Sequence, residues 1–230
     1  MVDSQIEVKK WFDNTYKRRG FGYLRPIDAY QIFCTLLSPQ PKSKHLDVAC
    51  GPGLMLKALE ETGAIGYGID ISTEAIDRCK TFCPTSFVRE GNAEKLPYDD
   101  ETFDSITCIG SLERMLNRTK VLSEQNRVAK KGAKICYMVR NSENFTWKYL
   151  WKPLNIYNKK GHQDALNINE WKDLFEENGF EIGGIYPDHW PYYRFLKTIF
   201  PWSKIETAKI RKFPLKLELA YEFIFILRKI

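Results

Sequence analysis

The chain contains no run of 18 uncharged apolar residues, so no segment is long enough to cross a membrane as a helix. Its first residues, MVDSQIEVKKWFD, lack the apolar core that a signal peptide needs. None of the six cysteines (Cys34, Cys50, Cys79, Cys83, Cys108, Cys136) forms a C-x-x-C pair, and no closely paired Cys/His set is present. No zinc-type spacing exists, and no metal is expected. Several cysteines lie inside apolar runs, as in SITCIG and KICYMV, where Cys acts as a small hydrophobe; reduced thiols in a cytoplasmic protein are the expectation. There is no internal repeat and no low-complexity stretch. Charge of one sign is not in large excess either: 35 basic against 29 acidic residues give +6, read as spread along the chain rather than massed in one patch. That argues against a nucleic-acid partner, while a phosphate- or carboxylate-bearing substrate or an anionic surface stays compatible.

What is present is enough for a core. With 230 residues, 43% hydrophobic and 28% charged, the chain suits a single domain, 1–230. Residues 1–40 read as helix interrupted by YKRRGFGYLRP, with IDAYQIFCTLL apolar at helical spacing. From residue 45 short apolar runs alternate with helical stripes. HLDVAC, AIGYGID, SFVRE, FDSITCIG and KICYMV read as strands. LMLKALEETG, STEAIDRCK (capped by Ser72) and RTKVLSEQNRVAKKG, ending at Gly132, read as helices. Strands separated by helices imply an α/β fold with a parallel sheet and right-handed crossovers. Towards the end, NEWKDLFEENG reads as a helix and FEIGGIYP and LAYEFIFILRKI as strands. Residues 187–216 are dense in aromatic and basic residues and show no clear period.

The first strand runs into Gly51-Pro52-Gly53. A glycine turn between strand and helix lets a ligand approach the backbone and aims helix N–H groups at it. On its own this is an ordinary strand-to-helix turn. The second strand, however, ends in Asp70, 19 residues after Gly51, where a carboxylate can accept from both hydroxyls of an adenosine ribose or, alternatively, cap the turn before Ser72. The dinucleotide pattern G-x-G-x-x-G would need glycine at Leu56. S-adenosylmethionine has no pyrophosphate and makes no such demand. Its amino-acid end can meet the backbone near Ala49 and Gly51, with Asp47 towards its ammonium. Asn92, after the third strand, can bond the adenine amine or serve as a turn residue, and Ala93 leaves room for a ring.

In this order and spacing, HLDVACGPG, GIDIS and GNAEKLPYDDETFDSITCIGSLERM resemble the class I S-adenosylmethionine-dependent methyltransferases over about residues 40–140, closest to the methyltransferase-domain type acting on small molecules. The resemblance implies a Rossmann-like, mostly parallel sheet of seven strands with the last antiparallel and helices on both faces. It implies an N-terminal helical lid (1–40), a cofactor-binding core (41–140) and acceptor-side, aromatic-rich insertions with the last strands (141–230). It also implies S-adenosyl-L-methionine as cofactor. Asp47, Ala49, Gly51 and Gly53 would hold the methionine part, Asp70 and Ile71 the ribose and adenine. Asn92, Ala93 and Glu94 would border the adenine, and Gly110 and Ser111 would lie under the sulfonium.

The sequence departs from the family at Ala49, where many members have glycine, and at Pro52, where Thr or Ser is frequent. It departs again at Arg114, where many have His after Leu-Glu. Asn-Pro-Pro-Tyr, the mark of DNA and glutamine-amide methyltransferases, is absent. The function expected is methyl transfer to a small-molecule acceptor by in-line displacement; alternatives are a lipid or quinone-like acceptor at a membrane surface, with peripheral membrane contact, or non-catalytic cofactor binding. If a base is needed, His189, His162 and Glu113 are the candidates. A monomer or homodimer is expected.

Overall fold

The computed structural model describes residues 4–151, 153–154, 164–200, 202 and 216–230. His162 lies outside the described residues. The strands are β1 (Lys44–Val48), β2 (Ile65–Asp70), β3 (Phe87–Glu90), β4 (Phe103–Ile109), β5 (Ala129–Arg140), β6 (Phe180–Pro187) and β7 (Glu222–Lys229). They form one sheet in the order β3-β2-β1-β4-β5-β7-β6. β1 to β5 pair in parallel, and β7 runs antiparallel between β5 and β6. The expected Rossmann-like sheet with its antiparallel last strand is therefore present.

The helices are α1 (Gln5–Arg19), α2 (Gln31–Leu37), α3 (Leu54–Glu60), α4 (Thr73–Phe82), α5 (Arg118–Val128), α6 (Ile168–Glu177) and α7 (Trp190–Ile199). They cover both faces because the central strands are apolar on both. In β5, Ile135, Tyr137 and Val139 pack with Val121, Leu122, Trp171 and Phe175 of α5 and α6. The alternate residues Cys136 and Met138 pack with Phe33, Leu37, Leu54 and Met55 of α2 and α3. A period of two along one strand thus feeds two separate cores. Each such side chain contributes about 1.5–3 kcal/mol when fully buried. All six cysteines are buried thiols.

Local signals set the helix starts. Ser72 accepts from Ala75 N at 3.2 Å. Asn117 accepts from Lys120 N at 3.0 Å. Asn167 and Glu170 form a reciprocal capping box.

Two boundaries differ from the sequence reading. α5 stops at Val128, four residues before Gly132, and β5 starts at once, Ala129 pairing with Phe103. The register shift between Phe103 and Ser105 places Gly132 in a bulge instead of at a helix end. The stretch without a clear period contains α7. Pro191 stands in its first turn, where a missing N–H is harmless, and its aromatics masked the helical repeat. The N-terminal region is helical as expected, with 3-10 turns at Gly20–Tyr23 and Ile27–Tyr30 between α1 and α2.

Candidate active site

The carboxyl ends of β1, β2 and β4 open onto two adjoining cavities. One is a slot of about 60 Å³, lined by Ile69, Asp70, Ile71, Asn92, Ala93 and the α1 residues Gln5 and Val8, among others. The other is a chamber of about 950 Å³. Phe12, Tyr16, Ala49, Ser111 and Arg114 line both, so the slot adjoins the chamber.

The loop after β1 is shaped by backbone geometry. Gly51 takes φ +53°, and a β-carbon there would lie 2.9 Å from the Tyr16 hydroxyl of α1. Its N–H donates to Asp70 Oδ2 at 2.8 Å, while Asp70 Oδ1 accepts from Ser72 N at 2.8 Å. Asp70 therefore braces the glycine loop and the start of α4 while lining the slot. Ala49 is itself in the left-handed region, φ +58°, at the junction of slot and chamber. Gly53, φ +95°, lies off both linings; a β-carbon there would meet Cys79 Sγ at 2.6 Å and Cys83 Sγ at 2.8 Å. It lets the loop sit on α4. Leu56, fully buried, packs where β2 carries Gly66 and Gly68.

Other sequence-selected residues divide in the same way. Asn92, Ala93 and Ile71 line the slot, and Asn92 Oδ1 accepts from Glu94 N at 2.9 Å. Glu94 lines neither cavity. Its carboxylate takes Gln5 Nε2 at 2.6 Å and Asn117 N at 3.1 Å, tying α1 to the start of α5. Gly110 and Ser111 follow β4 and line the chamber. Asp13 of α1 accepts from Ser72 Oγ at 2.6 Å, so the N-terminal helix is fastened over the slot.

Burial dominates the electrostatics. Asp47 lines the chamber, accepts from Thr107 Oγ1 at 2.7 Å and is pushed up to about 7 by burial, against that hydrogen bond. Burial likewise raises Asp70 to about 6, against its bonds from Ser72 and Gly51. Behind Asp47 stands a buried polar chain that the sequence reading missed. His45 Nε2 lies 2.9 Å from Thr107 Oγ1, and its Nδ1 lies 2.8 Å from Ser105 Oγ. Burial lowers His45 to about 3, so it is neutral. With the Thr107 proton given to Asp47, His45 Nε2 must carry the hydrogen and Nδ1 must accept. The signal available in the sequence was period two: His45 and Asp47 share one face of β1, Ser105 and Thr107 one face of β4.

Of the base candidates, Glu113 lines the chamber, is 1% exposed, and its Oε2 has no hydrogen-bond partner among the described residues. His189 is the N-cap residue of α7 and lines neither cavity. Burial lowers its pKa, against the nearby Asp188. The far wall of the chamber holds a buried ionic cluster, also missed. Arg25 bridges Asp188 at 2.7 Å and Glu222, and Arg140 reaches Glu222 at 3.5 Å. Arg25 also lies over the Trp190 ring at 4.7 Å. Glu222 stands in the sequence as the acid opening the apolar run FIFIL; its cross-strand partner is Arg140.

The residues fit an adenosine-bearing ligand whose far end reaches the chamber. The slot has apolar walls, a carboxylate and an amide, and the glycine loop leaves no room for a β-carbon at Gly51. Fold and cavity together define a Rossmann-like α/β protein with a two-part site at the carboxyl edge of its sheet.

Comparison with known proteins names the class further. The methyltransferase-domain family profile matches residues 46–137. A demethylmenaquinone methyltransferase of Alkalihalophilus pseudofirmus is 37% identical over 216 residues, 78% of this chain and 90% of that protein. A ubiquinone biosynthesis O-methyltransferase of Coxiella burnetii is 33% identical over 139 residues, and an uncharacterised methyltransferase of Synechocystis is 32% identical over 130. These two matches span 58% of both chains for the first, and 56% of this chain and 60% of that protein for the second. The magnesium protoporphyrin IX methyltransferase of Synechocystis, solved with bound SAH, superposes with TM-score 0.71 at 13% identity, covering 99% of this chain and 100% of that one. A [4+2]-cyclase superposes with TM-score 0.63 at 16% identity, covering 88% and 82%, which shows that the fold alone does not fix the reaction. The chain belongs to the class I S-adenosylmethionine-dependent methyltransferases.

Proposed function

We propose that this enzyme methylates a flat, largely apolar small molecule of quinol type held in the 950 Å³ chamber. The observation that carries the reading is the wall that slot and chamber share, with Ala49, Ser111 and Arg114 lining both. The relatives named for demethylmenaquinone and ubiquinone biosynthesis favour the same acceptor class.

S-adenosylmethionine supplies, when bound, an electrophilic methyl carbon on a good leaving group. The chain's own residues position and exclude. Asp70 would accept from the ribose hydroxyls, and Ile71, Asn92 and Ala93 would enclose the adenine. Asp47 and the backbone of Ala49 and Gly51 would hold the amino-acid end, with Gly110 and Ser111 at the chamber side of the junction. Gly53 and Glu94 act one layer out, seating the loop on α4 and tying down α1. Phe12 and Tyr16 of α1 exclude water from the junction. The aromatic wall, including Trp190, Tyr193 and Tyr221, would hold a flat acceptor in the chamber, and in-line displacement requires its attacking atom about 3 Å from the methyl carbon. Glu113, whose Oε2 has no hydrogen-bond partner among the described residues, would take the proton of an acceptor hydroxyl.

The test has two arms. Pure protein, labelled cofactor and a cell extract identify the compound that gains the methyl group. A labelled product without an apolar ring sinks the acceptor assignment. Asp70→Ala is expected to weaken SAH binding by at least about tenfold in calorimetry. Glu113→Gln is expected to lower kcat by about 100-fold or more with SAH affinity unchanged. Unchanged turnover removes Glu113 as the base.

A further inference from the structure

Many of the large exposed hydrophobic residues gather in one region of the surface. On α7, Tyr192, Phe195, Leu196 and Ile199 follow the i, i+3, i+4, i+7 spacing of one helix face, and all are exposed, Phe195 at 64%. Phe200 and Trp202 continue that face, their rings 5.9 Å apart, with Trp202 77% exposed. A second apolar segment, with the Phe145 and Tyr149 rings tilted against each other at 5.1 Å and both exposed, lies beside it. The two are set together by one backbone carbonyl: Leu219 O accepts from Asn144 Nδ2 at 3.2 Å and from the Tyr192 hydroxyl. A contiguous apolar patch of this kind on a protein surface marks an interaction site.

The opposite face of α7 is part of the chamber wall, through Trp190, Tyr193, Arg194 and Thr198. One helix thus presents an outward apolar face and an inward acceptor-facing one.

The charge balance selects the partner. Residues 190–216 carry seven basic residues and one acidic residue, a net +6, which equals the formal charge of the whole chain. The remaining residues balance, 28 basic against 28 acidic. The positive charge is therefore concentrated, contrary to the even spread read from the sequence at first. Aromatic and aliphatic side chains on one helix face, within a basic stretch, suit an anionic bilayer interface. Leu196 and Ile199 offer nothing for stacking on bases, which disfavours a nucleic-acid partner.

We propose that the outer face of α7, with Phe145 and Tyr149, docks on an anionic phospholipid bilayer. The chamber then receives its acceptor from the membrane, so the acceptor carries a lipophilic tail. The second statement rests on the methyltransferase reading; the docking itself does not.

The experiment is flotation of the full chain with vesicles of phosphatidylglycerol and phosphatidylcholine, compared with phosphatidylcholine alone. Binding is expected with the anionic vesicles only and is expected to fall as salt rises. The double variant Phe195→Glu, Ile199→Glu is expected to lose at least about tenfold of vesicle binding while keeping its melting temperature and its SAH affinity. Absence of wild-type binding, or equal binding by that variant, overturns the proposal. Retention on a single-stranded homopolymer with no vesicle binding overturns it in favour of nucleic acid. SAH binding without vesicle binding leaves the methyltransferase reading standing, and vesicle binding without SAH binding does the reverse.

Discussion

The two halves of the site are built by different means. The side proposed for the cofactor, from β1 to β3, is made largely of backbone, a left-handed Ala49 and a left-handed Gly51, whose N–H meets a carboxylate at a strand tip, Asp70. Those partners stand 19 residues apart. The side proposed for the acceptor is made of charged and aromatic side chains brought from the ends of the chain: Arg25 and Glu222 are 197 residues apart. A local backbone device leaves a motif in the sequence. A long-range side-chain cluster leaves none, because each member read alone is an ordinary surface charge. The difference also predicts which half governs stability and which governs affinity.

The largest effect is expected on the acceptor side. Arg25→Ala leaves Asp188 (2% exposed) and Glu222 (6% exposed) as buried carboxylates with their main cation gone. Removal of one partner from such a buried set costs about 3–5 kcal/mol. A urea titration measures this as a lower midpoint at unchanged slope. A loss below about 1 kcal/mol would mean that the cluster is wet and that the contrast between the halves is false. Replacing the group by apolar residues of similar size, Arg25→Met with Glu222→Leu and Asp188→Leu, is expected to cost much less, since no charge is stranded.

Next comes the cofactor side. Gly51→Ala places a β-carbon 2.9 Å from the Tyr16 hydroxyl and forces an L-residue into φ +53°. The strain is about 1–2 kcal/mol, and α1 must shift. Because Tyr16 lines both cavities, affinity suffers more than stability: SAH binding is expected to fall at least about tenfold in calorimetry. If stability falls and affinity does not, the loop is scaffolding and the site lies elsewhere.

How far the sequence carried the site follows from the same contrast. Asp47, Asp70 and Asn92, read from the strand ends, and Ser111, taken from the family resemblance, all line the two cavities, because a parallel sheet puts its strand ends on one edge. Gly53 and Glu94 were assigned to ligand contact by motif position, and the structure sets them against α4 and α1. Motif spacing fixes where a backbone goes, not which way a side chain faces. His45 and Thr107 went unseen because their pairing needs the β1–β4 register, in which Asp47 faces Thr107. α7 was hidden because aromatics fill its buried and exposed faces alike, which erases the polar half of a helical repeat.

A pH test sharpens the contrast further. Burial lifts Asp47 to about 7 and Asp70 to about 6, both from 3.8. With folded values above unfolded ones, these carboxyls support the free protein fully below about pH 4, and that support is lost as pH rises through 6 to 7. An ammonium placed against Asp47 favours its ionised form, so ligand affinity moves the opposite way. From pH 6 to pH 8 the ionised fraction of a group titrating near 7 grows about tenfold, and SAH affinity is expected to rise by about that factor. Asp47→Asn should flatten the profile. A profile that stays steep in that variant assigns the titration to Asp70 instead.

The smallest effect concerns Ala49, the one residue of the loop that departs from the family's glycine. At φ +58° its β-carbon strains against the backbone, a cost that glycine does not bear. Glycine gives back part of this gain through the greater freedom of the unfolded chain. Ala49→Gly is therefore expected to stabilise the protein by about 0.5–1 kcal/mol, read as a small rise in melting temperature. Its effect on affinity separates two roles for the methyl group. If Ala49 packs against the ligand at the junction of slot and chamber, SAH binding weakens although the fold is firmer. If affinity is unchanged or better, the strained alanine is a tolerated substitution and only the backbone of the loop meets the ligand.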